Sequence, residues 1–225
     1  MSPKNDLSFL KNFLLFSELK DKELQKINEI IITVNYPEQY TIFFEGEKGE
    51  RVYFLNKGKV KVLRSSKEGN EQILDIIKEG EVFGEVVLFD IEEYPATTRT
   101  ISEVEVSYLK RSHFREFFNN NPNIGWGMLK VMARKLTRSQ HQIENLGLRK
   151  TRGRVATLIL DMIDDFGSEE NKVILNFNRQ ELANFIGTSR ETVSRTLNKF
   201  KEEGLIKLEG DKLIVLNSEG LRNIK

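Results

Sequence analysis

Four polar side chains near the C-terminal end of the chain are spaced to share one face of a predicted helix. They are Arg190, Glu191, Ser194 and Arg195. At about 100° per residue, the opposite face carries Val193, Leu197 and Phe200, the apolar spacing of a core-facing helix. An arginine can donate two hydrogen bonds to guanine O6 and N7, and a glutamate can accept one from the N4 amine of cytosine. The pattern therefore predicts a helix that contacts DNA bases in the major groove.

Glu191 also fits a structural role, which stays open at this point. The spacing Thr188-x-x-Glu191 matches the capping box, in which the threonine caps the helix and the glutamate bonds back to the N–H of the cap residue. Two outward-facing arginines, Arg190 and Arg195, contribute nothing to such a cap. Their presence on either side of Glu191 favours base contact.

The starts of this helix and of the preceding one carry groups that suit DNA phosphates. Asn178-x-x-Glu181 repeats the capping pattern, and the free N–H groups of a first helical turn attract anions. Contacts of this kind position a protein on the duplex without reading its sequence. The predicted phosphate contacts are Asn178, Arg179, Gln180, Thr188 and Ser189.

The elements around these helices indicate the architecture of residues 150–225. The segment RVATLILDMIDDFG predicts a helix ending at Gly167, NKVILNF a short strand, and NRQELANFIG a second helix. The contact helix follows, after a turn at Gly187. Two strands around a turn at 209–212 complete the pattern. This order is that of a winged helix-turn-helix domain.

The N-terminal part, residues 1–122, has a different pattern. After one or two short helices over 7–28, short β-branched and aromatic runs follow between Thr33 and Leu109, among them TIFF, RVYFL, KVKVLR and VEVSYL. Glycines recur between these runs at the regular spacing of β-turns: Gly46, Gly58, Gly69 and Gly80. The pattern predicts a jelly-roll barrel, and the whole chain is expected to have an α+β fold.

A long helix is predicted over residues 123–149, between the two domains. One set of its residues, at alternating spacings of three and four, predicts a dimer seam like that of a coiled coil. The set is Met128, Met132, Leu136, Ser139, Ile143 and Leu146. The alternative is that this stripe packs only on its own barrel. Burying Ser139 in an apolar seam costs free energy. The residue therefore either sets the register of the two helices or contacts a ligand.

Composition excludes several classes of site. The 225 residues include no cysteine and only two histidines, so disulfides, iron–sulfur clusters and cysteine nucleophiles are excluded and a metal site is not expected. No apolar run reaches the roughly 18 residues of a membrane span, and no signal peptide is evident, so a cytoplasmic location is expected. Between 130 and 154, eight basic residues stand against Glu144 alone. This stripe either faces an anion such as nucleic acid or is a solvated helix face.

At this point the sequence resembles the cyclic-AMP receptor protein/FNR (Crp/Fnr) family of bacterial transcription regulators. The resemblance covers nearly the whole chain, including FGEVVLFD with YPATTRT, the long helix, and NRQELANFIGTSRETVSRTL, which is the most specific segment. It implies a cyclic-nucleotide-binding-like jelly roll, a dimerisation helix, and a homodimer on two-fold symmetric double-stranded DNA. It also implies contacts with RNA polymerase where the protein is an activator. The contact helix satisfies two family patterns, which predict TTGA-like half-sites first and TGTGA-like half-sites second.

The resemblance implies an effector pocket with one clear departure from the cyclic-nucleotide pattern. Gly84 and Glu85 match the ribose-binding Gly-Glu, but Tyr94-Pro95 stands before Ala96 where the phosphate-binding Arg-Ser or Arg-Thr is expected. Ser139 and Gln140 take the positions that face the adenine. The pocket residues so implied are Glu85, Tyr94, Pro95, Ala96, Ser139 and Gln140. Since a buried phosphate without its guanidinium loses a charge-assisted bond, cyclic AMP is disfavoured.

Other effectors and functions stay open at the sequence level. The family includes haem sensors, and His113 or His141 is available as a ligand, although each also fits an ordinary surface position. A cyclic-nucleotide- or haem-binding sensor module of the same family is the alternative to a regulator with another effector. A barrel that binds a metabolite or protein, with incidental DNA binding, is a second class. An enzyme is not expected, because TIFFEGEKGE and VFGEVV contain no histidine for a metal site.

Overall fold

The computed structural model describes residues 7–67, 69–89, 91–166, 179–209 and 212–224. The chain divides into two compact units, the first within 1–65 and 74–137 and the second within 66–73 and 138–225. The helix end at Gly167, the strand NKVILNF, Asn178 and the wing-turn residues Gly210 and Asp211 lie outside the described residues.

The first unit begins and ends with helices around a set of strands. Its helices are α1 (Ser8–Lys11), a 3-10 turn (Leu14–Phe16), α2 (Asp21–Ile30), a second 3-10 turn (Glu85–Leu88), α3 (Arg111–Asn120) and the start of α4 (Ile124–Leu148). The strands are β1 (Ile32–Tyr36), β2 (Thr41–Phe43), β3 (Arg51–Lys57), β4 (Val60–Ser65), β5 (Glu71–Ile77), β6 (Val82–Phe83), β7 (Thr97–Thr100) and β8 (Val104–Lys110), and residues 71–73 of β5 are grouped with the second unit.

These strands form two four-stranded sheets, in the orders β1-β8-β3-β6 and β2-β7-β4-β5. Alternation along β3 explains how the first sheet has two buried faces. Tyr53 and Leu55 point into the core between the sheets, while Val52 and Phe54 point to a second core beneath the helices. The helix side is closed by Phe13 and Phe16, whose rings lie 5.3 and 5.0 Å from that of Phe54.

The second unit contains the helical motif that the sequence predicts. Its elements are α5 (Thr151–Phe166), α6 (Arg179–Ile186), α7 (Arg190–Glu202), β9 (Ile206–Glu209), β10 (Lys212–Val215) and α8 (Ser218–Arg222). β9 and β10 pair antiparallel, with Leu213 opposite Leu208, and form the wing. The double-sheet barrel, the long helix and the winged helix-turn-helix confirm the predicted α+β fold class.

Candidate nucleic-acid interface and sensor core

Helix α7 is fixed in the second unit by its apolar side. Val193, Leu197 and Phe200 are at most 2% exposed, and Thr196 is buried beside them. Burying each large apolar side chain contributes about 1.5–3 kcal/mol. The hydroxyl of Thr196 donates to the Thr192 carbonyl at 2.8 Å, which satisfies this buried polar group within the helix. The opposite side of α7 is therefore free to meet a partner.

The start of α7 differs by one residue from the predicted capping box. The N-cap is Ser189, whose Oγ accepts a hydrogen bond from the Thr192 N–H at 3.2 Å. Gly187 ends α6 with φ +65°, and the N–H of Thr188 donates to the Ala183 carbonyl at 3.1 Å. Thr188 thus belongs to the turn, because its backbone N–H still serves α6. The predicted cap at Thr188 is wrong.

Glu191 consequently stands at the second helical position and does not close a capping box. Its own backbone N–H, and after it the Ser189 hydroxyl, donate to the carboxylate and lower the pKa of Glu191. Arg190 and Arg195 lower this pKa further by their charge. The ionised carboxylate suits the positive end of the helix dipole and stays exposed as an acceptor.

The corrected cap gives a stability prediction. We expect Ser189→Ala to lower the free energy of unfolding by about 1 kcal/mol, because an N–H of the first turn loses its acceptor. Thr188→Ala is the matched control, since it removes a neighbouring hydroxyl that does not cap the helix. Urea unfolding of both variants measures the difference. If Thr188→Ala lowered the free energy of unfolding more than Ser189→Ala does, Thr188 would be the N-cap residue.

The four predicted base contacts form one exposed surface, the contact face. It consists of Arg190, Glu191, Ser194 and Arg195. Three of these side chains are exposed, and Ser194 is half-buried between them. Their common orientation agrees with the helical spacing. Base contact itself stays a prediction.

The predicted phosphate contacts are distributed over the starts of two helices. Arg179 and Gln180 open α6 and are exposed, while Asn178 lies outside the described residues. Gln180 Nε2 donates to Asn184 Oδ1 at 2.7 Å, so this side chain is held along the helix. Ser189 is exposed at the N-terminus of α7. Among the described residues, Arg179, Gln180 and Ser189 are thus exposed at the starts of α6 and α7, where phosphate contact stays a prediction.

The first half of α4 packs on its own unit. Met128 is 5% exposed in the core beneath the helices, and Met132 packs partly buried against it. At Gly127 a Cβ atom would lie 2.0 Å from the Leu15 carbonyl oxygen, so only glycine permits this close approach. The predicted seam is therefore wrong at Met128 and Met132, which serve the alternative that the sequence left open.

A second apolar face of α4 is exposed. Trp126, Leu129, Leu136 and Ile143 are 60–69% exposed, and Ala133 and Gln140 are exposed at the intervening positions. The spacing alternates three and four residues, as in a coiled-coil seam. We call these residues the α4 stripe: Trp126, Leu129, Ala133, Leu136, Gln140 and Ile143. Ser139 is exposed beside it, and the side chain of Leu146 lies outside the described residues.

Glu85 lies in the barrel at the position expected of a ligand-binding carboxylate. It is 4% exposed and follows Gly84, whose φ of +68° starts the second 3-10 turn. Lys135 Nζ of α4 donates to Glu85 Oε1 at 2.9 Å, and this charge compensates the buried carboxylate. This pairing could not be predicted from the sequence, because it joins residues 50 positions apart.

Tyr94 fills the interior where the resemblance places an arginine. Its ring is 3% exposed and stacks on Phe43 with centroids 3.8 Å apart. Its hydroxyl donates to the Arg51 carbonyl at 2.8 Å and accepts from the Arg51 N–H at 3.2 Å. Burial raises the pKa of Tyr94 and also that of Tyr53, so both phenols are neutral. Ala96 is buried, and Pro95 is exposed.

Comparisons with known proteins agree with this geometry. Residues 33–121 match the cyclic nucleotide-binding domain, and residues 153–224 match the Crp-like helix-turn-helix domain. A Mycobacterium tuberculosis protein named a CRP-like cAMP-activated global transcriptional regulator is 32% identical over 210 residues, which cover 92% of this chain and 94% of that protein. The chain belongs to the Crp/Fnr family. As a Crp/Fnr protein it is a DNA-binding transcription regulator, which confirms the resemblance inferred from the sequence.

Further Crp/Fnr relatives support the same conclusion. The cAMP-activated global transcriptional regulator CRP of Salmonella typhimurium is 32% identical over 183 residues, which cover 80% of this chain and 87% of that protein. A solved CRP/FNR-family regulator of Thermus thermophilus aligns with a TM-score of 0.74 at 26% identity, covering 85% of this chain and 96% of that one.

Several of the eight basic residues between 130 and 154 form ion pairs or hydrogen bonds within the protein. Lys130 pairs with Glu18 and lowers its pKa, and Arg152 pairs with Glu203. Arg149 Nη1 donates to Thr157 Oγ1 at 2.6 Å. Together with the pair between Lys135 and Glu85, these contacts give these basic residues a structural role.

The two histidines of this Crp/Fnr chain have different surroundings. His141 is 71% exposed and lies 3.8 Å from a carboxylate oxygen of Glu144. His113 Nδ1, on α3, is buried and has no hydrogen-bond partner among the described residues. In the described part of the chain no group of three or more His, Cys, Asp and Glu side chains is placed to hold a metal ion. None of the described helices is long and apolar enough to cross a membrane.

Proposed function

We propose that this regulator acts as a homodimer on a palindromic site and responds to an effector in its barrel other than cyclic AMP. The observation that carries the proposal is the contact face. It combines two arginines with an ionised glutamate on the exposed side of a capped helix, and these groups match guanine and cytosine edges. Half-sites of the TTGA or TGTGA type are the expected targets. Where the protein activates transcription, RNA polymerase is a further partner.

The α4 stripe supports the homodimer. Large apolar side chains at this spacing and exposure are costly to leave in water, and a two-fold related copy of α4 would cover them. Gln140 would be the polar layer that sets the register of the two helices. A two-fold dimer presents two contact faces, which accounts for an inverted repeat in the DNA.

The barrel interior supports an effector without a cyclic phosphate. The Tyr94 ring and Phe43 occupy the interior, and a neutral phenol stands in place of the guanidinium. A buried phosphate that lacks its charged partner loses about 2–3 kcal/mol. The cation beside Glu85 is Lys135, which is already paired with that carboxylate.

A cyclic nucleotide is the second candidate. The relatives from Mycobacterium tuberculosis and Salmonella typhimurium are named as cAMP-activated, and Gly84 and Glu85 are retained here. Lys135 lies on the helix that the resemblance places beside the nucleotide. In this candidate it would leave Glu85 and pair with the phosphate.

One titration tests the proposed function. Fluorescence anisotropy is measured at fixed salt on duplexes with inverted TTGA half-sites, inverted TGTGA half-sites and a scrambled site, with and without cyclic AMP. We expect one palindrome to bind more tightly than the scrambled duplex, and cyclic AMP to leave the affinity unchanged. Micromolar or tighter binding of cyclic AMP, measured by calorimetry, would establish the second candidate. Equal binding of all three duplexes in both conditions would contradict the expectation that the effector-free protein recognises these half-sites.

A further inference from the structure

Arg152 lies in the first turn of α5, where a cation is unfavourable. The N-terminal end of a helix carries the positive end of the helix dipole. The partner of Arg152 is Glu203, the C-cap residue of α7, which lies at the negative end of its own helix dipole. Each charge is thus unfavourable at its end of its own helix, and the opposite charge of the paired side chain compensates it. The two residues are 51 positions apart, so the pair connects two helices of the second unit.

The same guanidinium also contacts α7 through an aromatic ring. The Cζ atom of Arg152 lies 5.5 Å from the centroid of the Phe200 ring, within the range of a cation–π contact. Phe200 is fully buried in the core that fixes α7. One side chain of α5 therefore holds the last turn of α7 at two points. We call Arg152, Phe200 and Glu203 the clamp.

We propose that Arg152 is a positioning residue for DNA recognition, because the clamp sets the angle between α5 and α7. The proposal rests on the proposed function. The charged side chains of the pair are both 42% exposed, so the pair contributes little to the stability of the fold. The clamp lies at the C-terminal end of the 13-residue helix, and the contact face lies in its N-terminal half. A change of tilt at the clamp therefore moves the contact face relative to the DNA.

Arg152→Ala tests the clamp, with Arg149→Ala as the matched control. Arg149 is also an arginine near the start of α5, but it donates to Thr157 of that same helix. We expect the Arg152 variant to bind the preferred palindrome about three- to tenfold more weakly, since exposed ion pairs and cation–π contacts are individually weak. The salt dependence should be unchanged, because Arg152 is not expected to contact a phosphate. The double variant Arg152→Glu/Glu203→Arg should regain affinity relative to each single variant.

A distance measurement reports the helix angle directly. The chain has no cysteine, so Asp161→Cys on α5 and Lys199→Cys on α7 provide two unique sites for spin labels. Both positions are exposed. We expect Arg152→Ala to shift or broaden the interspin distance distribution without lowering the unfolding midpoint. The charge-swapped variant restores the ion pair but not the contact with Phe200, so it should recover the original distribution only in part, whereas Arg149→Ala should retain it fully.

Several results would overturn the proposal. If Arg152→Ala changed neither the affinity for the palindrome nor the interspin distances, the proposal would be wrong. A salt slope smaller by about one would make Arg152 a phosphate contact. A lower unfolding midpoint with unchanged distances would make its role merely structural. Absence of DNA binding by the unsubstituted protein would instead contradict the effector-free recognition expected under the proposed function, while the distance measurement would still decide whether the clamp sets the helix angle.

Discussion

Arg195→Ala is expected to weaken binding to the preferred palindrome by about tenfold to a hundredfold for each half-site. A bidentate arginine–guanine contact discriminates against a wrong base by about 1–3 kcal/mol, and both copies in the proposed dimer lose it. Arg195 is exposed on α7, so its removal should leave the core of the domain intact. Anisotropy titrations with the preferred and the scrambled duplex should show that the variant loses preference as well as affinity.

Lys201→Ala is the matched control for this prediction. Lys201 is exposed in the last turn of the same helix and lies outside the contact face. Its removal takes away one positive charge, and we expect a small loss that is equal for all duplexes. If Arg195→Ala behaved in the same way, with a uniform loss and retained preference, Arg195 would be a phosphate contact. The sequence would then be read by other residues.

Leu136→Glu is expected to convert the protein from dimer to monomer at micromolar concentration. Leu136 is 62% exposed at the middle of the α4 stripe, and in a two-fold dimer the two substituted carboxylates would face each other. Burying an unpaired charge costs several kcal/mol, and each 1.4 kcal/mol weakens association tenfold. Sedimentation velocity should show the mass fall by half. Binding to the palindrome should weaken with it, because each monomer contacts only one half-site.

Arg134→Glu is the control for added negative charge on the same helix. Arg134 is exposed two residues before Leu136 and lies outside the α4 stripe. We expect this variant to remain dimeric. A dimer that survives Leu136→Glu would show that another surface joins the two copies. A monomeric Arg134 variant would show that charge alone, and not the apolar stripe, governs assembly.

Much of the fold followed from spacing in the sequence. The apolar side of α7 could be predicted because Val193, Leu197 and Phe200 recur at helical intervals, and the structure buries all three. The strands could be predicted from β-branched runs between regularly spaced glycines. Gly187 has the positive φ expected of its turn. These features depend on neighbours in the chain, which a sequence displays directly.

Spacing alone could not predict which face of α4 packs on its own barrel. The helix has two apolar sides, and both repeat at intervals of three and four residues. The spacing therefore predicts Met128 and Leu136 in one seam, whereas the structure buries Met128 and exposes Leu136. The decision depends on the shape of the surface that receives the helix, here the close approach of Leu15 to Gly127.

Other details depended on contacts between distant segments. Two adjacent hydroxyls, Thr188 and Ser189, compete for the same capping role, and the backbone at Gly187 decides between them. The sequence showed Tyr94 in place of an arginine, but only the structure shows its hydroxyl engaged with the backbone of Arg51. The residues of the clamp carry no local signal, because their pairing arises only when α5 and α7 pack together.

The two apolar sides of α4 link folding to protein concentration. One side, through Met128, completes the core of its own unit, and the other, through Leu136, is the proposed contact with a second copy. A helix shared in this way is stabilised by mass action, since any partner that binds only the folded form raises its apparent stability. In the proposed dimer, the apparent stability of the long helix would therefore rise with the concentration of this regulator in the cell.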